Sequence, residues 1–224
     1  MDVFDLIFPR KCFGCGKEGR YICDLCLAKV KTPKAICPMC ERPAIDGMTH
    51  SGCKKPLGLD GLTSPWEYDG VIRKAILALK YKYATDVVDE LIGYLVTSLK
   101  DKLVPNAQCL VPVPLHWYRE NFRGFNQSEE IGKLVAKEMG WKFISDLLTR
   151  KKSATPQTEL KGEERTKNIQ GVFSLNPRYQ PSVINHWPLV IFDDVYTTGS
   201  TLKEACKVLK RGGAKSVWGL TIAR

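Results

Sequence analysis

Asp193 and Asp194 stand side by side after the apolar run Val190-Ile191-Phe192, and Thr197, Thr198, Gly199, Ser200 and Thr201 follow. Such a run is the pattern of a strand buried on both faces of a parallel sheet. Beyond the hydroxyl-rich turn, Leu202, Ala205, Cys206 and Leu209 mark one face of a helix, which Gly212-Gly213 stops. A helix start at the carboxyl edge of a parallel sheet offers unpaired N–H groups and the positive end of a dipole to an anion. Gly199 allows close backbone approach, and the hydroxyls add donors to phosphate oxygens. Two carboxylates disfavour a phosphate beside them, so their chemistry points to ribose hydroxyls or a hydrated Mg²⁺.

A second set of reactive side chains lies near the N-terminus. Cys12 and Cys15 form one C-x2-C pair, and Cys23 and Cys26 another, with seven residues between the pairs. Ten residues later Cys37 and Cys40 make a third pair, and His50 precedes Cys53 at the same spacing. Each pair presents two ligands to one tetrahedral Zn²⁺, so the eight residues read as one site of four cysteines and one of three cysteines and a histidine. Nearest-neighbour pairing groups them in that way, and an interleaved arrangement would use the same residues. Four protein ligands per ion leave no place for substrate or water, so both sites read as structural. Cys109 and Cys206 stand alone in strand-like and helix-like surroundings and read as small buried hydrophobes.

Elements that could position these groups follow from composition and periodicity. The 224 residues suffice for one sizeable α/β core plus a small appendage. At 44% hydrophobic and 26% charged, the composition excludes disorder as the main state. The formal net charge of +10 suits a phosphorylated ligand or nucleic acid, although many cytosolic domains are as basic. Asp2 and Asp5 stand where a signal peptide needs positive charge, and no stretch has the length of a membrane span. Nine cysteines without an export signal point to a cytoplasmic protein with its thiols on metal.

Residues 1–55 contain few large apolar groups, so metal must supply much of their folding energy. Residues 56–61 read as a linker and 62–224 as the main domain. Leu62–Tyr68 predicts a strand broken by Pro65, hence an edge strand. Helices are expected after Asp69, over Asp86–Lys100, and from Asn126 to Gly140. Lys80 falls at the end of the first of these, where it complements the dipole or, in a sharper reading, reaches a diphosphate. Gln108–Pro114 predicts a strand, and the loop after it carries Arg119, Arg123 and Gly124. Fixed guanidinium charges there suit a diphosphate through forked hydrogen bonds, or are ordinary surface arginines. Leu148–Gln170 reads as a mobile loop, either a lid or plain solvated chain. Short strands are expected at Trp141–Ser145 and Gly171–Leu175, an irregular stretch at Asn176–His186, and a closing strand within Lys215–Arg224.

The twelve residues VIFDDVYTTGST resemble the phosphoribosyl pyrophosphate (PRPP) signature of type I phosphoribosyltransferases. With LIFPRKC and its cysteine pairs, LKYKY, VPVP, RGFNQ and TPQT, the chain as a whole resembles the ComF family (ComFC- and GntX-like proteins). The resemblance implies a double zinc ribbon followed by a parallel-sheet, Rossmann-like phosphoribosyltransferase-type domain. It implies that Asp193 and Asp194 hold the ribose diol as the catalytic pair. Thr197, Thr198, Gly199, Ser200 and Thr201 would wrap the 5′-phosphate, with Val195 and Tyr196 in the same PRPP loop. Mg²⁺ would accompany PRPP, and two zinc ions would occupy the ribbon. His50 stands where many members carry cysteine. The implied role is natural transformation, on the cytoplasmic side, during uptake of single-stranded DNA.

Two functions fit these features. One is a Mg²⁺-dependent phosphoribosyltransferase whose acceptor is unspecified. The other is a nucleic-acid-binding or adaptor protein of the DNA-uptake machinery, with PRPP as a regulator. In that second reading Lys11, Lys17, Arg20, Lys29, Lys31 and Lys34 supply charge, while Phe13 and Tyr21 stack bases.

Overall fold

Unbroken apolar runs become the central strands of one parallel sheet, because each is covered by helices on both faces. The computed structural model describes residues 9–81, 85–100, 104, 107–115, 125–150 and 169–224. In chain order the elements are α1 (Asp24–Leu27), β1 (Gly61–Thr63), α2 (Gly70–Tyr81), α3 (Thr85–Lys100), β2 (Cys109–Pro112), α4 (Gln127–Met139) and β3 (Lys142–Phe143). There follow β4 (Leu148–Arg150), β5 (Phe173–Leu175), α5 (Pro181–Ile184), β6 (Leu189–Val195), α6 (Ser200–Arg211) and β7 (Val217–Ala223). The five-stranded sheet has the order β1-β7-β6-β2-β3, and every neighbouring pair is parallel.

Alternation along β6 assigns its side chains to two layers. Val190 and Phe192 pack with Ile72 and Ile76 of α2, Leu91 and Leu95 of α3, and Ile131 and Val135 of α4. Leu189 and Ile191 pack with Leu202, Ala205, Cys206 and Leu209 of α6. Burying each such aliphatic side chain stabilises the fold by about 1.5–3 kcal/mol. α4 lies close on the sheet because Gly132 carries no Cβ; one there would sit 2.9 Å from Leu110. Asn126 caps this helix by accepting the Ser128 N–H at 3.1 Å, and Gly140, at φ 69°, ends it.

α4 connects β2 outward to β3, whereas α6 connects β6 to β7 in the opposite direction. The connections therefore diverge between β2 and β6, the topological switch point at which parallel sheets bind ligands.

The cysteine-rich segment straddles the β1 margin of the sheet. In its first half Ile22 is wholly buried in the α2–α3–α4 layer. The carboxylate of Glu90 on α3 accepts the N–H groups of Tyr21 at 3.0 Å and Ile22 at 2.8 Å. Tyr94 donates to the Ile22 carbonyl at 3.1 Å, and Lys74 to the Phe13 carbonyl at 2.9 Å. In its second half Ile36 joins the α6 layer, Met48 bridges Gly61, and the Thr49 N–H bonds the Asp60 carbonyl at 2.9 Å. Between the halves, Lys31 accepts from the Glu67 N–H, and the Arg224 guanidinium donates to the Lys34 carbonyl.

The expected parallel α/β architecture with its N-terminal ribbon is the one observed, and β1 is an edge strand. Two local expectations differ. Leu148–Arg150, read as the start of a loop, forms β4 and pairs antiparallel with β5. Thr149 and Ser174 join their hydroxyls at 2.9 Å across that pair, and Leu148 and Phe173 are buried. The partner strand thus supplies an order that the polar sequence conceals. Asn176–His186, expected irregular, contains the single turn α5. Within 56–61, read as a linker, Leu59 is buried and Asp60 accepts the Val217 N–H at 2.7 Å and pairs with Lys210 at 2.8 Å. The helix or turn read at residues 3–8, the Lys80 side chain and the TPQT stretch lie outside the described residues. No helix among the described residues is long and apolar enough to cross a membrane.

Candidate functional site

Asp193 and Asp194 lie within β6 rather than beyond it, because pairing with β7 continues through Val195. Both are half-buried. Oδ1 of Asp193 accepts the Asp194 N–H at 2.9 Å and the Ser128 hydroxyl at 3.3 Å. Oδ1 of Asp194 accepts the Val195 N–H at 2.8 Å. One oxygen of each carboxylate is thereby oriented by backbone at the sheet's carboxyl edge. Ser128, in the first turn of α4, brings the second layer to the same point. Such a fixed acidic pair suits a vicinal diol or a hydrated divalent cation.

The turn into α6 depends on Gly199, which adopts the left-handed conformation at φ 66°. A Cβ there would lie 2.4 Å from the Tyr196 ring. Thr198 and Ser200 share a hydrogen bond between their hydroxyls at 2.9 Å, and the Ser200 N–H reaches Thr198 Oγ1 at 3.4 Å. Thr197 is exposed and Thr201 half-buried. The 12-residue α6 places its N-terminus, with the positive end of its dipole, behind this turn. Lys203 Nζ donates to the Thr198 carbonyl at 3.3 Å and to Glu41 Oε1 at 3.1 Å. Arg119, Arg123 and Gly124 lie outside the described residues.

The ribbon gathers its ligands into two groups, Cys12, Cys15, Cys23 and Cys26, and Cys37, Cys40, His50 and Cys53, with the ligand atoms of each within 4.8 Å of one another. Nearest-neighbour pairing describes this division. The Cys15 and Cys23 sulfurs are 3.6 Å apart, and Cys40 Sγ lies 3.4 Å from His50 Nδ1. Tetrahedral zinc, with Zn–S about 2.3 Å and Zn–N about 2.0 Å, needs separations of about 3.5–3.8 Å, so the donor sets fit the ion. His50 Nε2 lies 3.0 Å from the Pro43 carbonyl. Donation from that nitrogen leaves the Nδ1 lone pair for the metal. All nine cysteines are free of disulfides.

Electrostatics prepare one thiol in each group. Burial pushes Cys12 up, but the backbone N–H groups of Cys23, Cys15 and Gly14 more than offset it, leaving the thiol at about 6. Burial likewise raises Cys37, and the N–H groups of His50, Cys40 and Met39 bring it down to about 7. Cys26 is pushed up to about 12 by burial and then by the neighbouring sulfurs of Cys23, Cys12 and Cys15. Metal binding must therefore displace a proton from Cys26.

Phe13 and Tyr21, read as base-stacking residues, stack on each other, with centroids 5.5 Å apart, and pack against the α2–α3–α4 layer. Ser128, Tyr196 as a structural contact, Lys203 and Glu41 are additions from the structure. Ser128 lies two residues after the Asn126 cap, and Lys203 lies one turn beyond Ser200, which were the local signals available for them.

Fold and site together define a double-zinc-ribbon protein with a parallel-sheet α/β domain. Residues 3–54 match the double zinc ribbon domain family. The chain is 30% identical over 205 residues to the DNA utilization protein YhgH of Escherichia coli, covering 88% of this chain and 87% of that protein. It is 27% identical over 224 residues to competence protein ComFC of Bacillus subtilis, covering 93% and 86%. A solved glutamine PRPP amidotransferase from B. subtilis superposes with a TM-score of 0.43 at 15% identity, over 66% of this chain and 30% of that one. The chain belongs to the ComF family.

Proposed function

We propose that the chain binds PRPP with Mg²⁺ at the β2–β6 switch point and transfers its phosphoribosyl group, acting in the cytoplasm during DNA uptake. The observation that carries this reading is the pair Asp193–Asp194, oriented by backbone and by Ser128, immediately before the glycine turn into α6. The names of the relatives, a competence protein and a DNA utilization protein, support the setting.

In this reading Asp193 and Asp194 hold the ribose diol. Residues Thr197 to Thr201 receive the 5′-phosphate on the N–H groups and hydroxyls of the turn, with Val195 and Tyr196 supporting it. Arg119, Arg123 and Gly124 belong to the diphosphate side. As the bond from the anomeric carbon to diphosphate breaks, positive charge grows on the sugar, and the fixed acids beside it favour that charge. Asp193 and Asp194 would also face the water shell of a Mg²⁺ carried with PRPP, which would supply charge neutralisation to the diphosphate. In this reading the acceptor arrives already nucleophilic. The ribbon sites, each closed by four protein ligands, are structural.

Calorimetry tests the ligand. Asp193→Asn combined with Asp194→Asn is expected to abolish PRPP binding, and unchanged affinity would remove the acidic pair from the account. Release of diphosphate from PRPP and Mg²⁺ across a panel of bases and single-stranded DNA tests transfer.

The binding-module reading draws on the exposed Lys17, Lys29, Lys31 and Lys34 of the ribbon. Against it, Lys11 and Arg20 pair with Glu18 at 3.7 Å and Asp24 at 3.0 Å. The Phe13–Tyr21 stack also occupies ring faces that bases would need. A steep fall of single-stranded DNA affinity with salt would favour this second reading.

A further inference from the structure

The second half of the ribbon meets the turn before α6 at three points. The buried Tyr196 phenol donates to the Pro38 carbonyl at 3.3 Å. Lys203 pairs with Glu41 at 3.1 Å. Ile36 shares an apolar cluster with Tyr196. Burial, and then the negative charge of Glu41, raise the Tyr196 phenol above its ordinary range, so it remains a donor.

Pro38 and Glu41 belong to the tight turn that carries Cys37 and Cys40. The Glu41 N–H closes this turn on the Cys37 carbonyl at 2.8 Å, and Glu41 itself is held left-handed at φ 62°. A non-glycine residue in that conformation persists only where its surroundings impose it. Two ligands drawn to one ion are such a constraint. At the other end of the same contacts, Lys203 holds the Thr198 carbonyl, and the Tyr196 ring lies against Gly199. The turn and the knuckle therefore share two side chains. The first ribbon half has its contacts elsewhere, with Lys74 of α2 and with Glu90 and Tyr94 of α3.

We propose that the Cys37/Cys40/His50/Cys53 site sets the shape of the 197–200 turn through Tyr196 and Lys203, so that metal in this site and an anion at the turn stabilise each other. The anion part rests on the PRPP reading above. By linkage the effect is reciprocal: whatever zinc adds to PRPP affinity, PRPP adds to zinc retention. The Cys12/Cys15/Cys23/Cys26 site stands outside this coupling.

Amide hydrogen exchange and zinc release in the full chain test it. His50→Ala is expected to speed exchange over residues 197–203 by about fivefold or more, while Cys15→Ala leaves those amides unchanged. Saturating PRPP should slow release of one of the two zinc ions to a chromophoric chelator by a similar factor in the unaltered chain. Glu41→Gln combined with Tyr196→Phe leaves all eight metal ligands in place, so it should retain two zinc ions yet lose that slowing. Equal exchange over 197–203 in the His50→Ala and Cys15→Ala chains would overturn the proposal, as would PRPP-slowed release that survives the double variant. Exchange that responds to His50→Ala in a chain with no PRPP binding would sustain the coupling and refute the ligand instead.

Discussion

The hydroxyl of Ser128 donates to Oδ1 of Asp193 at 3.3 Å, joining the first turn of α4 to the end of β6 where the connections of the sheet diverge. The bond crosses the switch point and ties the helix that follows β2 to strand β6. Its removal tests whether the acid needs that second support. Ser128→Ala is expected to weaken PRPP binding by about 1 kcal/mol, roughly fivefold, with little change in thermal stability. Isothermal calorimetry beside a melting curve separates the two effects.

Gly199 tolerates no side chain for two independent reasons: its φ is 66°, and a Cβ on it would meet the Tyr196 ring at 2.4 Å. Gly199→Ala should therefore cost about 1–3 kcal/mol of stability and displace the turn. The expected readouts are a melting temperature lowered by several degrees and PRPP affinity reduced beyond what Ser128→Ala causes. A variant as stable as the parent chain would contradict this.

Glu90 accepts two backbone N–H groups of the first ribbon half, from Tyr21 at 3.0 Å and Ile22 at 2.8 Å. Replacing it with Ala leaves both donors without that acceptor, at a cost of about 1–3 kcal/mol each when they stay buried. Glu90→Ala is expected to loosen the half containing Cys12 to Cys26 and to speed proteolysis there. Glu90→Gln, which keeps one acceptor oxygen, should fall between the two chains in a limited-proteolysis time course.

Two buried thiols predict how stability depends on alkaline pH. Burial pushes Cys206 from 9.0 to about 12 and Cys109 from 9.0 to about 11. A thiol raised in this way binds its proton more tightly folded than unfolded. Its contribution is fully present below about pH 9 and declines as pH rises through about 11 to 12. The urea midpoint should therefore fall between about pH 9 and 11. Cys206→Ala should lower stability at neutral pH yet flatten that fall, and an unflattened slope would count against burial as its cause.

Much of the site was legible because its chemistry is written over short spans. The C-x2-C and H-x2-C spacings identify eight ligands, since two donors three residues apart can meet one ion within a single turn. Val190 to Phe192 identify a doubly buried strand, and Leu202, Ala205, Cys206 and Leu209 identify the covering helix, because side-chain periods of 2 and 3.6 follow from backbone geometry alone. The Leu148–Arg150 strand was hidden, because a short polar segment becomes a strand only when a partner such as Phe173–Leu175 lies beside it.

The sequence by itself determined which residues gather as candidate metal ligands, which strand carries twin acids and where the glycine turn falls. Tertiary structure alone decided that the two ribbon halves dock on opposite layers, that Ser128 reaches Asp193 across 65 residues, and that Tyr196 reaches Pro38 across 158. These contacts depend on strand order, and strand order emerges only when apolar faces separated along the chain bury one another, so no local period encodes it.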